Sequence, residues 1–452
     1  MVLSSPYSFD DVARMFGAVR TYGRAGMIEA IDTDTRTMRP GSLFVALSGI
    51  HCDGARFLPQ AKKAKAACAV IASSRFDEAA RKSGLALIIV DDVLSALWSF
   101  ARAHLSRFSS VTYAGVTGSC GKTTTKEALA SILSVKGPTA KTPGNLNSEI
   151  GLPLSVLSVG GGTRYGVFEM GVDHTGEMEH MLSVLTPDIG ILTNIGNSHL
   201  EKFGNRSAIA REKGKLFHEG VDAGFIGRGC PYLESIEREH HVILRQYDSS
   251  SLRAVSRGLE GWDLSFGKIP CHINAVGAHL LSDIAGAVSV ARFLGLSDEE
   301  IAEGLAGFTP MEGRSTVLSG DVTIIEDCYN ASLDSTRSIL DYVNSLSWKG
   351  NKKVVLGPMK ELGAESKTAH EEVARRILRS DIRSTFLYGE EMHDAYRLLK
   401  ASGWDGELLF TDDFDTLADE VSSSVRRGDL FLVKGSRAAT MERLLPVLRT
   451  AG

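Results

Sequence analysis

The sequence predicts an α/β protein of three domains: a small N-terminal α/β domain, a central P-loop domain on a parallel sheet, and a C-terminal Rossmann-like, doubly wound domain. Three observations carry that prediction. A chain of 452 residues exceeds what one hydrophobic core organises. A β-branched run beginning at Val111 ends in the glycine-punctuated loop Gly118-Ser119-Cys120-Gly121-Lys122-Thr123-Thr124, and a helix pattern starts directly after it. From about Val317, strand and helix patterns alternate five times, which implies a mostly parallel sheet with right-handed crossovers. The expected divisions are residues 1–92, 93–316 and 317–452.

In chain order, a short helix is expected over Asp10–Phe16, a strand at Leu43–Leu47, a helix at Leu58–Ala67, and strands at Cys68–Ile71 and Ala86–Val90. Two polar clusters sit between them, Asp32-Thr33-Asp34-Thr35-Arg36 and Ser48 to Gly54. By chemistry alone these are ligand loops beside strand ends or solvated turns. A helix with the apolar face Leu94, Leu97, Trp98, Ala101 and Leu105 covers Val93–Phe108 and leads into the central domain.

The loop that follows has the composition phosphate requires. Small residues let backbone N–H groups face phosphate oxygens, lysine supplies a mobile charge, and the next hydroxyl can reach Mg²⁺. Its spacing departs from the usual motif: five residues, not four, separate Gly115 from Gly121. Next, Thr142 to Asn147 places two asparagines in a Gly/Pro-framed loop that lines a polar site or caps backbone. Tyr165–Gly171 and Ile189–Ile195 read as buried strands whose ends carry Glu169 and lead to His199. Ligands of open parallel sheets gather at such ends. Lys213 reads on its own as helix surface charge.

In the last domain, strands are expected at Val322–Glu326, Lys353–Leu356, Ser384–Tyr388, Glu407–Phe410 and Asp429–Val433. Helices are expected at Asp334–Ser345, Thr368–Arg379, Met392–Ser402, Phe414–Val425 and Ala438–Leu448. No GxGxxG follows the first strand, so a dinucleotide cofactor is not indicated. Composition narrows the class further. Apolar residues are 43% and charged residues 23%, the balance of a globular chain. A net charge of −5 argues against a general nucleic-acid binder. Six scattered cysteines without a CxxC pair argue against a disulfide framework or zinc site and fit a reducing cytoplasm. No signal pattern opens the chain, and no apolar run approaches the roughly 20 residues that span a bilayer.

These motifs, taken in order, resemble one family: the Mur ligases of peptidoglycan precursor synthesis, and within them the MurF type. The unusual loop spacing through Gly115 and Gly121-Lys122-Thr123 is the family's own. Thr142 to Asn147 resembles its TxGNxN segment, Glu169 to Glu177 its ELGxNHxGE, and Asn194 to Gly204 its NxxxxHLxxFG. Asp327 to Ala331, Met359 to Gly363 and Val433 to Arg437 are similar to DSYNAN, DMxELG and VKGSR. Asp34-Thr35-Arg36 and Leu43 through Gly49 resemble TDTR and FVALxG.

The resemblance implies a cytoplasmic, ATP- and Mg²⁺-dependent ligase with a P-loop ATPase-like centre. It joins D-alanyl-D-alanine to UDP-N-acetylmuramoyl-tripeptide through an acyl phosphate, as a monomer with no nucleic-acid or membrane partner. Gly118, Ser119, Gly121, Lys122, Thr123, Thr124 and Asn145 would face ATP, with Lys122 on its β- and γ-phosphates. Arg314 would approach the phosphates, Asp327 the ribose, and Tyr329 and Asn330 the same nucleotide. Thr123, Glu169, His199 and a carbamylated Lys213 would hold Mg²⁺, making Lys122, Glu169, His199 and Lys213 the catalytic set. Asp34, Thr35, Arg36, Ser48 and Asn147 would contact the nucleotide-sugar substrate. Departures are local. The adenine-reading HNxxN is here His279-Leu280-Leu281-Ser282-Asp283, which leaves Asp283 to accept from the amino group. Pro358 and Ser332 replace an aspartate and an asparagine, and Asp173 replaces the asparagine of the NH pair. The alternatives are a MurE-type ligase, whose DNPR-type signature is absent, and a P-loop regulator that binds without ligating.

Overall fold

The computed structural model describes residues 1–49 and 53–450, so Ile50, His51 and Cys52 of the second polar cluster lie outside the described residues. Three six-stranded sheets follow one another along the chain. In the first, the spatial order is Val2–Ser8, Met27–Asp32, Leu43–Val45, Cys68–Ala72, Ala86–Val90 and Arg20–Tyr22. Its middle four strands are parallel and both edges antiparallel. The expected strands are the buried central ones. Val2–Ser8 and Met27–Asp32 were not foreseen, because serine, proline, aspartate and glutamate dilute their pattern, and Arg20–Tyr22 is only three exposed residues long. Such strands are held by pairing more than by propensity. The Met1 amino group supports one of them, donating to the Ile31 carbonyl and Asp32.

The helix Val93–Leu105 belongs to two cores at once. Val93, Ala96, Leu97 and Phe100 pack into the N-terminal core, whereas Ala101 and Leu105 pack against Val111, Phe168 and Met178 of the next layer. His104 is fully buried on this helix. Its Nε2 faces the Val159 carbonyl at 2.9 Å and its Nδ1 faces the Tyr7 hydroxyl at 2.7 Å. One side chain thereby ties the first strand to the central region.

The central sheet runs Leu244–Tyr247, Ala223–Gly227, Ile189–Leu192, Thr112–Thr117, Tyr165–Glu169 and Thr139–Lys141, parallel throughout. The phosphate-type loop leaves one middle strand and Glu169 ends its neighbour, so the chain's own register brings the two together. The helix Lys122–Lys136 lies between this sheet and the helices His279–Phe293 and Asp298–Ala306, with Leu129, Ile132 and Leu133 in the shared core. A small antiparallel sheet, Arg253–Ser256, Trp262–Phe266 and Ile269–Ile273, was not foreseen.

The third sheet is ordered Thr316–Leu318, Thr323–Asp327, Leu430–Lys434, Lys352–Leu356, Ser384–Tyr388 and Glu407–Thr411. Only Thr316–Leu318 runs antiparallel. The five expected strands agree to within one residue at each end. The last helix is a correction: expected at Ala438–Leu448, it begins at Leu444 after two single turns. Thr440, at φ 46°, ψ 46°, separates those turns and breaks the helical path.

Burial pushes His104 down to about 4. Its folded value lies below the ordinary 6.5, so between those values the unfolded chain holds a proton that the fold rejects. Its stabilisation is complete above pH 6.5 and is lost as pH falls towards 4. His104→Ala is expected to cost about 1–3 kcal/mol at pH 7 and to flatten this acid limb. Urea denaturation across pH 4–7 measures both effects.

Candidate active site

Glycine at two positions of the loop is a steric requirement. A Cβ on Gly118 would fall 1.9 Å from the Thr193 hydroxyl, and one on Gly121 would fall 2.0 Å from an Asp283 oxygen. Both glycines also have positive φ, 146° and 80°. The helix beginning at Lys122 carries no side-chain cap, which leaves its first N–H groups open to an anion. The Ser119 and Cys120 N–H groups are already used: both donate to the Asn194 side chain, at 3.1 and 2.8 Å. Lys122 Nζ rests on the Gly118 carbonyl at 2.8 Å.

Below the loop, the Thr123 hydroxyl donates to Glu169 at 2.9 Å and accepts from Arg314 at 3.0 Å. The other Glu169 oxygen accepts from Asn147 at 2.7 Å, and the Glu169 N–H donates to the Thr142 hydroxyl. Lys126, fully buried and unforeseen, donates to the carbonyls of Thr142 and Gly144 and anchors that loop. One cavity is lined by Lys122, Thr123, Thr124, Asn147, Glu169, His199, His279, Asp283, Arg314, Asp327, Tyr329, Asn330 and Lys434. Ser119 and Gly121 line it too. Most of the expected nucleotide and metal residues therefore meet in one place.

Asn145 does not join them. It lines a neighbouring cavity with Asn197, His199, Tyr329, Lys360 and Arg437, while Asn147, expected on the substrate side, faces Glu169. Asp34, Thr35 and Arg36 line a separate cavity with Phe44, Leu47 and Phe57. Hydrogen bonds from Arg36 hold the Asp34 carboxyl down at about 2. Ser48 donates to Asp53 at 3.3 Å.

Cations and carboxylates alternate in and around the main cavity. Lys213 is 1% exposed, not the surface charge its helix position suggested. Burial, with Lys122 adding to it, pushes its amine down to about 7. Burial pushes Asp283 up to about 7 against the pull of Arg314 and the Thr124 hydroxyl. Lys434 bonds Asp327 at 2.5 Å and the Asn330 carbonyl at 3.0 Å, ordering the loop after Thr323–Asp327. Arg314 stacks on Tyr329, 4.1 Å from guanidinium carbon to ring centroid, and its Nε is buried without a partner. Thr123, Glu169 and His199 give this cavity a hydroxyl, a carboxylate and an imidazole, a donor set that would suit a divalent ion.

Family models for the Mur ligase middle domain, the Mur ligase glutamate ligase domain and the Mur ligase family catalytic domain match residues 116–291, 313–437 and 27–104. A UDP-N-acetylmuramoyl-tripeptide–D-alanyl-D-alanine ligase from Treponema pallidum is 32% identical, over 98% of this chain and 99% of its own. The chain belongs to the Mur ligase family. Among solved Mur ligases, MurF from Acinetobacter baumannii matches it with a TM-score of 0.86 at 25% identity, each chain covered completely. MurF from Thermotoga maritima, solved in complex with ADP, matches with a TM-score of 0.75 at 27% identity, covering 93% of this chain and 97% of its own. No helix among the described residues is long and apolar enough to cross a membrane.

Gly121→Ala tests the loop directly. The positive φ and the approach of Asp283 should together cost about 1–3 kcal/mol. Calorimetric titration should find binding of a non-hydrolysable ATP analogue at least tenfold weaker, with circular dichroism unchanged at 20 °C.

Proposed function

We propose that the chain is a MurF-type ligase that uses ATP to join D-alanyl-D-alanine to UDP-N-acetylmuramoyl-tripeptide in the cytoplasm. The observation that carries this reading is the junction of Lys122, Thr123, Glu169, His199 and Arg314 in one cavity. The separate pocket at Asp34–Arg36 is the candidate seat of the nucleotide sugar, and a neighbouring pocket that shares His199 with the main cavity extends to Arg437. Lys122 and the open N–H groups of its helix bind the β- and γ-phosphates, and Arg314 offsets charge as the terminal phosphoryl group transfers. Asp327 accepts from the ribose, and Asp283 from the amino group of the base.

The tripeptide's terminal carboxylate attacks the γ-phosphorus in line, and ADP leaves. The dipeptide amine then adds to the acyl carbon of the acyl phosphate and phosphate departs, so one ATP gives one amide, ADP and phosphate. Thr123, Glu169 and His199 are the residues that would hold Mg²⁺, whose role is to neutralise phosphate charge and polarise the transferred group. Lys213, whose amine burial pushes down to about 7, has a substantial neutral fraction near pH 7 and is suited to react with CO₂ and supply a further carboxylate-like ligand. A regulator that only binds nucleotide has no need of this donor set.

Lys122→Ala should lower phosphate release at least a hundredfold with the melting temperature unchanged; substantial remaining turnover would sink the assignment. A phosphate-release assay with UDP-N-acetylmuramoyl-tripeptide separates the readings further. Release that requires D-alanyl-D-alanine supports this one. Release with the dipeptide precursor and a free diamino acid means a MurE-type ligase, and no release means a binder.

A further inference from the structure

We propose that Glu361 is the positioning carboxylate of His199, so that the metal-ready orientation of this imidazole exists only while the C-terminal region is docked on the central one. The inference rests on the functional reading above and extends it to a residue that no motif assigned to the chemistry. Glu361 Oε2 lies 2.5 Å from His199 Nδ1. An imidazole engaged at Nδ1 offers Nε2 to a cation, with its tautomer and ring plane fixed by the outer carboxylate.

The backbone on both sides is committed to this contact. His199 has φ 59° and Glu361 φ 63°, two of only six non-glycine residues with positive φ among those described. A left-handed backbone is strained for residues with a Cβ, and strain of that kind persists where surrounding contacts over-determine it. Those contacts are present. The Glu201 N–H donates to the Glu361 carbonyl at 3.1 Å, and Asn197 donates to Glu365 at 2.7 Å. Arg206 pairs with Glu365 at 3.8 Å. The segments 197–206 and 361–365 thus meet through one strained residue each, and those two residues share the bond. From the central region, His199 feels the amines of Lys122 and Lys213. Glu361 brings the compensating acceptor from the other side.

The test measures metal directly and not only turnover. Mn²⁺ is titrated by electron paramagnetic resonance into wild type, Glu361→Ala and Glu361→Gln, each with a non-hydrolysable ATP analogue and UDP-N-acetylmuramoyl-tripeptide. Glu361→Ala should weaken Mn²⁺ binding tenfold or more and raise the Mg²⁺ concentration needed for half-maximal phosphate release by a similar factor. Glutamine still accepts from Nδ1–H, so Glu361→Gln should stay within threefold of wild type. Equal Mn²⁺ affinity in wild type and Glu361→Ala overturns the inference, and so does equal loss in both variants, which would mark a purely structural residue. Wild type that binds no Mn²⁺ would instead sink the functional reading itself.

Discussion

The site hangs on the bond between Thr123 and Glu169. Glu169 is the last residue of a buried strand and Thr123 the second of a buried helix, so neither backbone can move without disturbing the core. Both carboxylate oxygens are used, one by Thr123 and the other by Asn147. Asn147 sits on a loop that Lys126 clamps from the same helix one turn further on. Phosphate loop, strand end and asparagine loop form a closed circuit in which each member fixes the next. A negative charge buried to this degree is tolerable only with donors aimed at it, and the cations around it supply the field that an anionic ligand meets.

Much of this was legible in the residues. Buried central strands read clearly because valine, isoleucine and leucine run uninterrupted there, as parallel strands covered on both faces require. Most strands of the last domain follow for the same reason, and the helix after the loop because Leu129, Ile132 and Leu133 share one face. Edge strands such as Val2–Ser8 and Thr139–Lys141 carry no such run and exist through their partners. Lys122 and Thr123 stood out because glycine, lysine and hydroxyl at close spacing have a stereochemical reason to be together, and Glu169 and His199 because they follow apolar strand runs; all four line one cavity.

The residues that escaped are those whose meaning lies across the fold. Lys126 looked like any helix lysine, yet its side chain lies in the interior with two carbonyls to hold. Lys213 was a surface charge by pattern and a buried amine by structure. Glu361 and Lys434 act on groups 162 and 107 residues away. Asn194 fills the loop's first donors from just beyond Ile189–Leu192, a strand adjacent only in space. No local periodicity encodes such pairs, whereas the family resemblance singled out Lys213 because it carries tertiary information that periodicity lacks.

Arg314 follows Gly313 and precedes Ser315, which have φ 77° and 53°, where the chain crosses into its last sheet. Its guanidinium touches Thr123 on one side and the Tyr329 ring on the other. A single side chain thus reports the angle between two sheets to the point where phosphate would sit. Reciprocity then fixes the sign of the relation: whatever free energy a ligand gains by drawing Arg314 inwards is returned as preference for the docked arrangement. The crossing segment in this sense links the geometry of the last sheet to the side chains at Thr123.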